Sequence, residues 1–303
     1  MAIPSPAQPD PAVAAPPALS VDGLTLRAGK RTIFADLSFA VPAGSLGVLA
    51  GPSGTGKTAL ALALAGRLKA TSGRAVVLGE NLPRRSGSVR RRTGFTGNST
   101  VVPLDETLTI KHHVAEAVRL ASPWWEISPS AARVDSAIAA ANDLITALED
   151  AFGPDGPAVP LAQARLRRSE LMRDASPMAR FALGLVLALL PDPDLLVVDD
   201  LDQLRTADER RAAWAALLTL GRLQGDGEGN PLTVVATCHD WRELDELLDP
   251  DHRLGNLPLR PVNVHALDAA AATDSPAADS PAPAEPAPAD PTTPELLPAP
   301  EIR

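Results

Sequence analysis

The sequence predicts an α/β fold: a largely parallel sheet with helices on both faces, an antiparallel strand pair at its start and an inserted run of helices. Three observations point there. Short apolar runs alternate with segments of helical period, as in strand–helix–strand units. Leu46–Ala50 is apolar throughout, leads into a glycine-rich stretch and opens onto the strong helix former Ala59–Leu68. A second wholly apolar run, Leu195–Val198, ends in Asp199 and Asp200, and strands that read apolar without alternation belong to sheets covered on both faces.

Residues 1–17 are rich in proline and alanine without period, and residues 266–303 read the same way with acidic residues added. Both lack the large apolar side chains that offset ordering entropy, so both are expected to be disordered. The tail is either a solvated extension or a docking segment. Between them, residues 18–265 form the ordered domain. Leu19–Leu26 and Thr32–Val41 read as paired strands turning at Gly29-Lys30, and Leu46–Ala50, Arg74–Leu78 and Thr93–Thr96 as further strands. Thr109–Leu120, Ala131–Phe152, Ala162–Leu171 and Ser176–Leu190 have helical period and make up an inserted helical subdomain over about residues 107–190. Leu195–Val198 is a strand, Ala207–Leu223 a helix, Leu232–Thr237 a strand and Trp241–Leu248 a helix.

Composition narrows the function classes. Of 303 residues, 45% are hydrophobic but only 3% aromatic, with no tyrosine, so the core is built from Leu, Val and Ala. The net charge of −9 argues against a nucleic-acid binder, which needs clustered Lys and Arg. The single cysteine, Cys238, excludes an intrachain disulfide and a cysteine-built metal site. Met1–Ser20 has no cationic segment of the secretory kind, and Phe181–Leu190 is too short to span a bilayer. The expectation is a soluble chain, whose membrane role would come through a partner.

The chemistry is concentrated in Gly51-Pro52-Ser53-Gly54-Thr55-Gly56-Lys57-Thr58, a complete G-x-x-x-x-G-K-[ST] phosphate loop in its required strand–loop–helix context. The glycines let backbone N–H groups turn toward a triphosphate, and the helix start adds positive dipole. Lys57 supplies a charge for the β/γ-phosphates, and the Thr58 hydroxyl is a candidate Mg²⁺ ligand. Asp199, at the end of its buried strand, is the candidate to hold Mg²⁺ beside that loop. Asp200 is the candidate base for the attacking water. Val234–Asp240 repeats the pattern of an apolar strand ending in polar groups, with His239 placed to contact a γ-phosphate or the water.

In this order of elements residues 18–248 resemble the nucleotide-binding subunit of the ATP-binding cassette family. The resemblance implies a P-loop NTPase fold: a RecA-like parallel sheet core with an antiparallel β subdomain and an inserted α-helical subdomain. It implies ATP and Mg²⁺ as cofactors and head-to-tail pairing with a second ATP-binding cassette, as homo- or heterodimer. It also implies attachment to a membrane-spanning transport subunit, placing the chain at the inner, cytoplasmic face of a membrane. Asn98 aligns with the family's glutamine, which joins Mg²⁺ to the membrane partner; Asn98 reads equally as a turn residue.

The departures from the family are specific. Ala28 stands where an adenine-stacking aromatic is usual, leaving base stacking lost or transferred to Arg27. The signature loop is replaced by Ala175-Ser176-Pro177-Met178-Ala179, where Pro177 removes an N–H donor. Ser176-Pro177 reads as a helix N-cap followed by proline at the first helical position, or as a remnant phosphate contact. Asp200 replaces the catalytic glutamate, retracting its carboxylate by about 1.5 Å, and Thr206 stands where an aspartate is usual. The expected activity is slow ATP hydrolysis that drives a membrane partner. The rivals are a catalytically degenerate cassette acting as a regulatory or structural subunit, and a phosphate-loop NTPase unrelated to transport. The chain has no Asn-Lys-x-Asp motif of the GTP-reading kind. Arg84-Arg85 and Arg90-Arg91-Arg92 read as a solvated basic face or a contact for an acidic partner, and Trp124-Trp125 as core or a partner contact.

Overall fold

The computed structural model describes residues 17–97, 101–122, 131–153, 158–223, 231–249 and 259–267. The expectations for Asn98, for Trp124-Trp125 and for the terminal segments fall almost entirely outside these residues.

Two sheets and two helical layers make up the described chain. Strands β1 (Pro17–Ala28) and β2 (Arg31–Pro42) form an antiparallel pair, which β4 (Ser72–Val77) and β5 (Glu80–Leu82) extend to a sheet of order β2-β1-β4-β5. The second sheet is parallel throughout. It holds β3 (Leu46–Ala50), β6 (Thr93–Thr96), β7 (Leu195–Val198), β8 (Thr233–Cys238) and β9 (Val262–Ala266) in the order β6-β7-β8-β3-β9.

The alternation of side chains along each parallel strand sorts two cores. Leu49, Val197 and Val235 face one way, toward α1 (Lys57–Leu64) and the antiparallel sheet, where they pack with Leu60, Leu64, Leu19 and Phe34. Val48, Val198 and Val234 face the other way, onto α7 (Ala207–Leu223), where Trp214, Leu217 and Leu218 are fully buried. Both faces of the sheet are covered at its centre, which is why β3, β7 and β8 lack polar alternation.

The inserted helices are α3 (Ile110–Ala121), α4 (Ala131–Phe152), α5 (Ala158–Ala164) and α6 (Pro177–Leu189), with α2 (Ser86–Arg91) before them and α8 (Arg242–Leu248) near the end. Ile110, Val114 and Val118 recur at spacing four on α3 and meet Val134 and Ile138 of α4 and Leu183 of α6. The start of α7 is a reciprocal capping box: Glu209 N–H donates to Thr206 Oγ1 at 3.1 Å and Thr206 N–H to Glu209 Oε2 at 3.0 Å.

One expected helix is corrected. Ala162–Leu171 is helical only through Ala164, the end of α5. Beyond it the backbone pairs with a different segment: Ile110 N–H donates to Glu170 O and Met172 N–H to Leu108 O, at 3.0 and 2.9 Å. Those long-range bonds replace the helical ladder. The helix α1 also starts earlier and ends sooner than Ala59–Leu68, and β5, α2 and β9 are elements that sequence periodicity did not reveal.

Candidate functional site

The carboxyl ends of β3, β8 and β7 lie side by side, with Ala50 in register with Cys238 and Val198 with Ala236. Ligands of open α/β sheets sit at this edge. The phosphate loop leaves β3 there and is tied to β8 by Gly51 N–H donating to Cys238 O at 3.1 Å.

Within the loop, Lys57 Nζ reaches back over the chain and donates to Gly51 O at 2.7 Å and Pro52 O at 2.9 Å. Thr55 is buried and its hydroxyl donates to Pro52 O at 2.9 Å. Gly56 adopts φ 87°, and a Cβ there would come within 2.9 Å of Ile33 Cγ2, so only glycine lets the loop pass under β2. The helix α1 begins at Lys57 with no side-chain cap, which leaves its first N–H groups facing the loop interior. Gly54 has open space around it and Ser53 is exposed.

Asp199 is fully buried at the end of β7. Its backbone N–H donates to Thr96 O at 2.8 Å, and its Oδ1 accepts from the Thr237 hydroxyl at 2.7 Å. Its Oδ2 is buried with no hydrogen-bond partner among the described residues. Buried carboxylate oxygens are seldom left unpaired, and a cation is a natural partner for this one. Gly97 closes the β6 side: a Cβ there would lie 1.8 Å from Asp199 O, and its φ of 115° requires glycine. The free oxygen of Asp199 is a hard donor of the kind that suits Mg²⁺, and Thr58, in the first turn of α1, carries the other expected oxygen.

Asp200 follows in a left-handed conformation, φ 63°, held by its N–H donating to Thr237 Oγ1 at 2.8 Å. Burial, and then the charges of Asp199 and Asp202, raise its carboxyl above the ordinary range, while Lys57 opposes them. His239 is exposed beyond the end of β8, its N–H donating to Asp202 Oδ2 at 2.6 Å. Cys238 is buried and its thiol pushed up to about 12, chiefly by burial, which makes it a packing residue rather than a nucleophile. A cleft of about 860 Å³ runs from Asp199 and Asp200 along β6 to Arg67 and the start of α6.

The structure thus brings Gly51–Thr58, Asp199, Asp200 and His239 to one sheet edge, with Asn98 outside the described residues. Ser176 is engaged elsewhere: its hydroxyl donates to Gln163 O at 2.7 Å and accepts from Ala179 N–H at 3.0 Å, capping α6. Arg92 departs from the expected solvated face, since it pairs with Asp194 at 2.6 Å and donates to Leu78 O. Arg27 and Ala28 are exposed at the end of β1. Sequence reasoning missed Thr237, the hydroxyl that joins the two aspartates. Its one sequence mark is a polar residue in the otherwise apolar run Val234–Cys238.

The family model described as ABC transporter matches residues 34–202, a span that includes the phosphate loop and both aspartates. The Nod factor export ATP-binding protein I of Ralstonia nicotianae is 27% identical over 241 residues, which are 80% of this chain and 65% of that protein. The zinc import ATP-binding protein ZnuC of Ruegeria pomeroyi is 43% identical over 60 residues, 20% of this chain and 23% of its own. The chain thus spans less than two thirds of the curated relatives it matches. Among solved structures, a dimeric ATP-binding cassette in a post-hydrolysis state with ADP and Pi matches with a TM-score of 0.56 at 15% identity, over 82% of this chain and 94% of that one. That likeness is one of fold. Among the described residues no helix is long and apolar enough to cross a membrane.

Proposed function

Because the chain belongs to the ABC transporter family, we propose that it is the ATP-binding subunit of a transport complex, which binds Mg-ATP and hydrolyses it slowly to drive a separate membrane partner. The cassette spans residues 18–265, with its helical subdomain at about 107–190, and residues 1–17 and 266–303 stand outside it. The observation that carries the reading is the pairing, at one sheet edge, of a phosphate loop whose helix start has no side-chain cap with a buried carboxylate oxygen that has no hydrogen-bond partner among the described residues.

The proposed roles rest on the residue chemistry at this edge. The N-terminal amides of α1 and the Gly51–Gly56 backbone cradle the phosphates, and Lys57 exchanges its two loop carbonyls for phosphate oxygens. Thr58 and Asp199 hold Mg²⁺, with Asn98 as a further candidate ligand. The metal, when bound, neutralises charge on the β- and γ-phosphates. Asp200 accepts a proton from the attacking water, and its raised pKa makes it a stronger base than an ordinary aspartate. His239 reaches the γ-phosphate from the exposed end of β8.

The relatives are named for export and for import, so neither direction nor cargo passes to this chain. A second cassette and a membrane subunit are the proposed partners, which place the chain at a membrane's cytoplasmic face. The direct test is titration of the purified chain with ATP in Mg²⁺, with Lys57→Ala as the control. Saturable binding by the unaltered chain that the substitution weakens supports the reading, and the absence of saturable binding by the unaltered chain refutes it.

A further inference from the structure

Thr237 is fully buried at the carboxyl end of β8, between the strand of the phosphate loop and the strand of the two aspartates. Its hydroxyl works in two directions. Asp200 N–H is a donor, so Oγ1 accepts there at 2.8 Å; its own single proton then goes to Asp199 Oδ1 at 2.7 Å. We propose that Thr237 is the positioning residue of the magnesium site: its hydroxyl fixes the Asp199 carboxylate so that Oδ2 alone faces the cation, and the same oxygen holds the turn that carries Asp200. The inference rests on the Mg-nucleotide reading above.

The surroundings leave this hydroxyl as the remaining constraint. Asp199 is held through its backbone on the β6 side, by Thr96 O and by the close approach of Gly97. Those contacts fix the main chain but not the carboxylate torsion. Among the described residues Oδ2 has no hydrogen bond, so Thr237 is the hydrogen-bond partner there that sets the carboxylate plane. Hydrogen-bond partners behind a metal ligand orient it and tune its basicity. The residue itself touches no phosphate or cation in this role; it acts through Asp199 and Asp200. It also accounts for the hydroxyl that follows the apolar run Val234–Ala236 near the carboxyl end of the strand.

The test compares Thr237→Val, which keeps the branched shape, and Thr237→Ser, which keeps the hydroxyl, with the unaltered chain. A fluorescent ATP analogue is titrated in EDTA and in Mg²⁺, and Mn²⁺ binding in the presence of nucleotide is followed by electron paramagnetic resonance. The expected result is that the valine variant binds nucleotide normally in EDTA but loses about 10- to 100-fold in Mn²⁺ affinity, while serine restores most of it. A valine variant whose metal dependence equals that of the unaltered chain overturns the inference. So does loss of binding in EDTA to the same degree as in Mg²⁺, which marks a purely structural threonine. If the unaltered chain binds nucleotide in EDTA as tightly as in Mg²⁺, the magnesium reading itself fails, and that outcome is distinct from the other two.

Discussion

At the end of β3 the loop keeps the start of α1 uncapped and Gly54 in open space, and across β8 Asp199 keeps Oδ2 buried without a partner. At the start of α6 the reverse holds. Ser176 both donates and accepts within the fold, and Pro177 has no N–H to offer. Both segments are helix N-termini following a loop, so their dipoles alone do not separate them. The difference lies in which hydrogen-bonding groups remain without an internal partner. By that measure the phosphate loop is built for a ligand and the start of α6 is built for its own helix.

The largest expected effect tests the loop side of this comparison. Asp200→Asn should lower turnover by about 10²- to 10⁴-fold, the worth of a positioned base, while nucleotide binding in Mg²⁺ persists. Steady-state phosphate release and equilibrium titration read the two separately. The pH profile sharpens the test. A base works only when ionised, and burial together with Asp199 and Asp202 raises the pKa of Asp200. Turnover of the unaltered chain should therefore fall as pH drops through that raised value, above the ordinary aspartate pKa of about 3.9, and the asparagine variant should lack this acid limb. A limb that survives in the variant assigns the titration to another group.

Lys57→Ala comes next. Its ammonium now bonds Gly51 O and Pro52 O, both of which it would leave for a triphosphate. Loss of a charge-assisted contact of about 1.5–3 kcal/mol predicts ATP binding weaker by about 10- to 100-fold. A variant that binds as tightly as the unaltered chain would show that the ammonium serves the loop's shape alone. Asp200→Glu should have a smaller effect in the opposite direction. It advances the carboxylate by about 1.5 Å, and turnover should rise by about tenfold, a part of the hundredfold that about 1 Å of misplacement can cost. A fall instead would mean that the left-handed turn at Asp200, φ 63°, already sets the shorter side chain correctly.

What the sequence revealed follows the same division between local and lateral information. Leu195–Val198 and Ala207–Leu223 were legible because a buried strand and a long helix carry their periods within themselves. Ser176-Pro177 was legible as a cap because the capping bond spans three residues. Residues 165–171 were misread as helix because their hydrogen bonds go to Leu108–Lys111, which no local period records. The strand Val262–Ala266 escaped notice because it is short, lies at the sheet edge and alternates in burial. Thr237 escaped for the strongest form of this reason: its partners Asp199 and Asp200 are 38 and 37 positions away in sequence and become its neighbours only when β7 and β8 pair.

The smallest effect tests the other side of the comparison. Ser176→Ala removes the side-chain oxygen that accepts from Ala179 N–H and the proton given to Gln163 O. Loss of such a cap costs about 1 kcal/mol, which for a domain of this size is a fall of about 2–4 °C in Tm. Because the hydroxyl is fully engaged inside the fold, ATP affinity and turnover should not change with it. Thermal denaturation beside a nucleotide titration separates the outcomes. A variant that keeps its Tm yet loses ATP-dependent self-association would place Ser176 against a partner's phosphate. The start of α6 would then have an unmet hydrogen-bonding role after all, and the contrast between the two helix starts would not hold.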